Sequence, residues 1–102
     1  MWTTALLTFF AGVFAANATP HFVKGITKEP FPTPFGYTPL INLVAGWGMY
    51  VIAALLLAGA DVAARPWPAA VSGAIGVLVM GVFHAHVGAF GKRPPAKAAP
   101  LA

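Results

Sequence analysis

The chain contains no cysteine and very little charge. Without cysteine it has no disulfides, no thiolate metal ligands and no cysteine nucleophile. Charged residues make up 8% of its 102 residues, against about 25% in soluble domains, whereas apolar residues make up 59%. This composition leaves no room for a soluble domain beside the apolar segments, and it indicates one small membrane domain.

Three stretches lack Lys, Arg, Asp and Glu altogether, at about 2–18, 39–60 and 66–90. A helix rises 1.5 Å per residue, so each stretch is long enough for a bilayer core of about 30 Å. We therefore predict an all-α fold: an integral membrane bundle of three transmembrane helices over 1–91, followed by a Pro/Ala/Lys-rich cytoplasmic tail, 92–102. The A-x-A triplet at 16–18 suggests a cleaved signal peptide as an alternative, but no Lys or Arg precedes the apolar run, and we interpret it as a span.

The basic residues predict the orientation of the spans. Three spans place the segment after the first helix and the C-terminal tail on one side of the membrane, with Arg65 alone on the other. The basic residues on the first side are Lys24, Lys28, Lys92, Arg93 and Lys97. The positive-inside rule then predicts a multi-pass protein of the cell inner membrane, with its N-terminus outside and its C-terminus in the cytoplasm. Because these residues flank spans, they indicate contact with the lipid bilayer and no nucleic acid.

The two connections differ in composition. The first, from Thr19 to Thr38, is rich in Pro and Phe and is predicted to lie at the membrane interface, with Thr19 capping a short surface helix that starts at Pro20. The run 30–35 is predicted to be extended and polyproline-like. The second connection, Gly59 to Arg65, is short, which predicts that the second and third helices form a hairpin.

One segment carries a resemblance. Residues 17–26, NATPHFVKGI, are followed at 30–35 by PFPTPF. Together, over about a fifth of the chain, they resemble small uncharacterised bacterial membrane proteins. The resemblance implies a bacterial origin and a few helical spans, and it carries no activity with it.

Small residues mark the faces on which the helices are expected to pack. In lipid, helices associate where small side chains let their backbones approach closely. At 100° per residue, one face of the third helix collects Gly73, Gly81 and Gly88, together with Val77, Met80 and His84. Gly46 on the second helix and Gly12 on the first supply matching surfaces.

Five polar residues are predicted to gather at the cytoplasmic side, and we call them the polar layer: Asn17, His21, Asn42, His84 and His86. Polar groups within lipid are costly unless satisfied, so they form structural hydrogen bonds, bind a ligand or handle protons. His21 and His84 are the candidate ligands for Zn, Cu or Fe, or for a haem or pigment. His84 and His86 point about 200° apart on a helix, so both do not readily bind one metal ion.

The sequence predicts a structural or accessory membrane protein that packs into a larger assembly or forms a homo-oligomer. Short helices with glycine-rich faces suit a neighbour. The alternatives are a binding module that uses the histidines for a metal or haem-type cofactor, and an oligomeric minimal transporter or channel. No enzyme is predicted, because no nucleophile with a base and an orienting acid can be assembled, and no cofactor is the simplest expectation.

Overall fold

The computed structural model describes residues 1–95 and is all-α, with three helices in this range. They are α1, Trp2–Ile26, α2, Pro39–Gly59, and α3, Pro66–His86. All three are long and apolar enough to cross a membrane. The number of long apolar helices is as predicted, while α1 is longer and α3 shorter than the apolar stretches suggested.

Helix α1 runs without interruption through Pro20, so the predicted surface helix beginning at Thr19 and Pro20 is wrong. The proline removes the donor that would bond to the carbonyl of Ala16. The hydroxyl of Thr19 donates to the neighbouring carbonyl of Ala15 at 2.8 Å. The continuous helix carries the segment after Thr19 along α2 instead of along the membrane surface.

Helix α1 ends in a Schellman motif. The N–H of Lys28 donates to the carbonyl of Gly25, and the N–H of Glu29 donates to that of Lys24. This closure requires a left-handed residue, and Lys28 adopts a φ of 61°. Glycine is the usual residue here, because a side chain in this conformation costs about 1 kcal/mol.

Helix α1 is the centre of the fold, because α2 and α3 both pack on it. No Cα of α2 lies within 8 Å of a Cα of α3 in the described chain. The predicted hairpin of α2 and α3 is therefore wrong, although the second connection, 60–65, is as short as expected. This connection is attached to α1, where the N–H of Asp61 donates to the hydroxyl of Thr4 at 3.1 Å.

Glycines set the closest helix approaches. A methyl group added at Gly12 would collide with the carbonyl oxygen of Gly73, and one at Gly76 with that of Phe9. Where α2 packs on α1, a Cβ at Gly46 would lie 2.7 Å from the backbone nitrogen of Phe22. The backbones therefore touch at these three positions, as small residues permit.

The packing face of α3 differs from the predicted one. Gly76, outside the predicted set, is buried, whereas Gly81 is exposed and a Cβ there, or at Gly88, would meet no atom within 4 Å. The face is rotated by about 60° from the predicted direction, centring it between Gly76 and Met80. Among the helices α3 packs on α1 alone, so a single strip of its surface carries the close contacts.

The first connection, now 27–38, folds over the end of the bundle. Thr33, in the run predicted to be extended, forms a tight turn in which its hydroxyl donates to the carbonyl of Gly36 at 2.6 Å. The N–H of Lys92 donates to the carbonyl of Thr33 at 2.8 Å, so the segment after α3 is fastened to this turn. Gly91, with a φ of 119°, lies where any side chain would strike the Thr33 backbone. The rest of the predicted tail, 96–102, lies outside the described residues.

Candidate functional site

The polar layer is built around a hydrogen bond between α1 and α2. Nδ1 of His21 and Oδ1 of Asn42 are 2.6 Å apart, and both side chains are buried. Asn42 lies in the first turn of α2, whose start is fixed by Thr38 as N-cap and Pro39 as the first helical residue. His21 reaches it only because α1 continues past Pro20.

Asn42 joins the two helices to the first connection. Its amide nitrogen donates to the carbonyls of Phe31, at 2.7 Å, and of Thr38, at 3.0 Å, and more weakly to that of Tyr37. These acceptors fix the amide orientation, so its oxygen faces His21 and can only accept. Nδ1 of His21 is therefore the protonated nitrogen, and its Nε2 carries a lone pair.

His84 has the same tautomer. Its Nδ1 lies 3.0 Å from the carbonyl of Met80 one turn earlier, and a carbonyl can only accept. The remaining nitrogen, Nε2, is buried and is the one buried side-chain polar atom in the described chain without a hydrogen-bond partner. Its ring lies 6.4 Å from that of His21, centroid to centroid, with the two planes 79° apart. The structure thus brings together the two histidines that the sequence selected.

The other members of the polar layer have separate surroundings. Nδ2 of Asn17 donates to the sulfur of Met49 at 3.0 Å, a weak acceptor. His86, the last residue of α3, is exposed. Among residues 1–95, no three His, Cys, Asp or Glu side chains are grouped to hold a metal ion.

Two cavities flank His21, and each is lined in part by a thioether. One, of about 370 Å³, is lined by Asn17, His21 and Met49 with the turn at Thr33. The other, of about 390 Å³, is lined by His21, Met80 and aromatic side chains of α3 and the segment that follows it. From the sequence, Met80 was expected only on a packing face and Met49 was not singled out, because in an apolar helix a methionine looks like any other apolar residue.

A third cavity, an apolar groove of about 340 Å³, lies between α2 and α3, toward the end of the helices away from the polar layer. Its floor is formed by small residues of α1, and its walls by both other helices. The small residues that line it are Thr8, Ala11, Gly12, Ala15, Ala53, Ala69, Ala70 and Gly73. The groove exists because α2 and α3 do not meet over α1.

Trp2 and Trp67 line one cleft at the end opposite the polar layer. Both are highly exposed.

No family model, curated protein or solved structure matches the chain.

Proposed function

We propose that this chain is an integral membrane protein of structural or accessory function, which packs into a larger membrane assembly or self-associates. The proposed role is not catalytic. The observation that supports it is the groove between α2 and α3, which is lined by small residues. Lipid chains solvate bulky Leu and Val surfaces well, whereas a surface of Ala and Gly suits close approach by a helix.

The arrangement of α2 and α3 on α1 supports the same proposal. α2 and α3 each pack on α1 without meeting each other, and the groove between them is open on its outer side above small α1 residues. A helix from a second copy or from another membrane protein would complete a four-helix arrangement around α1. Gly48 and Gly81 add two further positions at which a neighbour could approach closely, since a Cβ at either would meet no atom of residues 1–95 within 4 Å.

The proposed orientation has the N-terminus outside and the polar layer at the cytoplasmic face of a bacterial inner membrane. This orientation rests on the basic residues. Four of them lie at the end of the helices that carries the first connection: Lys24, Lys28, Lys92 and Arg93. Arg65 lies at the other end, beside the second connection. Such asymmetry is the strongest determinant of orientation in short chains.

The assembly is tested by the mass of the protein extracted in a mild detergent, measured by size exclusion with light scattering. We expect a mass above that of one chain. Ala70→Leu should reduce this mass. Ala70 is exposed and lines the groove, so a leucine there would occupy the space proposed for the partner helix without disturbing contacts within the chain.

The matched control is Ala74→Leu, one turn further along α3, where Ala74 is exposed and does not line the groove. It should keep the mass of the unmodified protein. A single chain per particle in membranes and mild detergent alike, or equal masses for the two variants, would contradict the use of this groove.

A further inference from the structure

We propose that His21, His84 and Met80 form a binding site for a soft monovalent metal ion, Cu(I). The proposal goes beyond a structural role and does not depend on assembly, since all three residues belong to one chain. It begins with the two imidazoles, which approach each other from α1 and α3.

Both rings are prepared as ligands. Each donates Nδ1–H to a fixed acceptor, Oδ1 of Asn42 for His21 and the carbonyl of Met80 for His84. This arrangement is the usual outer support of a metal-binding histidine, because it fixes the tautomer, orients the ring and leaves the Nε2 lone pair for the metal. Nε2 of His84 is buried with no hydrogen-bond partner, so its lone pair is already removed from solvent.

The ring separation fits one coordination geometry better than another. Two imidazoles that bind one ion linearly through bonds of about 2.0 Å have centroids about 6 Å apart, whereas a tetrahedral angle brings the centroids to about 5 Å. The observed separation is 6.4 Å. It suits Cu(I), which accepts two nearly opposed nitrogens, better than Zn(II), which requires a tetrahedral set.

The charges around the site also favour a monovalent ion. The chain has two acidic residues, Glu29 and Asp61, and no cysteine. Glu29 is paired with Lys24 at 3.2 Å, and Asp61 lies beside Thr4 at the far end of α1. A divalent ion would therefore be held in a largely apolar layer by neutral ligands alone, which is costlier than holding a single charge.

The third ligand is a thioether, which soft ions prefer. Met80 lines the same cavity as His21 and supplies the carbonyl that orients His84. Met49 is on the other side of His21, and its sulfur already accepts the amide of Asn17. Met80, whose sulfur is not engaged by Asn17 and which lies one turn before His84, is therefore the proposed third ligand.

The test is titration of the purified full chain in detergent with Cu(I), kept reduced and anaerobic, in competition with a chromophoric Cu(I) chelator. We expect one Cu(I) per chain. His84→Gln should weaken binding at least about tenfold, because the glutamine amide still donates to the Met80 carbonyl but is a poor metal ligand. His86→Gln, an exposed histidine two residues away, should bind as the unmodified protein does.

The sulfur ligand is tested by a second pair of variants and by X-ray absorption at the copper edge. Met80→Leu should weaken binding and remove a sulfur neighbour from the spectrum, whereas Met49→Leu should do neither. Helical circular dichroism shows whether each variant is folded. Unchanged Cu(I) affinity in folded His84→Gln, a shell of nitrogen and oxygen only, or tighter binding of Zn(II) than of Cu(I) would overturn the proposal.

Discussion

The two interfaces of α1 are built by different means. Toward α2, side chains form hydrogen bonds across the interface, from His21 to Asn42 and from Asn17 to Met49. Toward α3, no side-chain hydrogen bond joins the helices within residues 1–95. There the backbones touch instead, at Gly12 against Gly73 and at Gly76 against the carbonyl of Phe9.

In the proposed membrane setting, where lipid offers no hydrophobic driving force between helices, the two interfaces would specify their partners in different ways. A polar interface selects its partner because an unmatched polar atom in the membrane is costly. A glycine interface selects by shape, through dispersion and close contacts between Cα hydrogens and carbonyls. The first should therefore be sensitive to the loss of a polar atom, and the second to the gain of a methyl group.

The glycine interface should show the largest effect. Gly76→Leu places a side chain into the carbonyl of Phe9, and we expect it to lower the free energy of unfolding by about 3 kcal/mol or to separate α3 from α1. Gly81→Leu is the control, because this position on the same helix has no atom in its way. Thermal unfolding in detergent measures the stability of both variants. Equal unfolding midpoints would contradict the assignment of Gly76 to the face of α3 that packs on α1.

The polar interface should show the next largest effect. Asn42→Leu leaves Nδ1 of His21 and the carbonyl of Phe31 without their partner, and we expect a loss of roughly 2 to 3 kcal/mol in unfolding free energy. Asn17→Leu, which removes only a bond to a thioether, should cost less than about 1 kcal/mol. Hydrogen exchange at the amide of Gly36 provides a local readout, and it should accelerate in the Asn42 variant alone.

The smallest effect should be a gain, at the end of α1 that carries the polar interface. Lys28→Gly relieves the left-handed conformation and should raise the unfolding free energy by about 0.5 to 1 kcal/mol. Lys24→Gly, inside the helix, should lower it by about the same amount. A destabilised Lys28→Gly would mean that its side chain contributes more than the backbone conformation costs.

The sequence was sufficient for the helical class and for the number of apolar helices, because uncharged runs of membrane length have few other solutions. It was not sufficient where local and tertiary preferences compete. Pro20 is a good first residue of a helix and also a tolerated interior one, and only the position of His21 against α2 decides between them.

The site was predictable in part for a similar reason. His21, Asn42 and His84 stand out, since polar residues are rare in such runs, but nothing in the chain says which of them bond to each other. On α3, Gly76 and Gly81 are equivalent as residues, and the helix rotation that buries one of them depends on the neighbour. Helical periodicity gives only the mean direction of the small residues on α3, so a rotation of the packing face by about 60° is not visible from the sequence.

The central position of α1 has a consequence for biosynthesis. The chain is made from its N-terminus, so the helix on which both others pack is the first to leave the ribosome. α2 can find its partner as soon as it has formed, and α3 can do so independently of whether α2 has docked, since the two helices do not touch in the described chain. Each helix can therefore dock in the order in which it is synthesised, and neither has to displace the other.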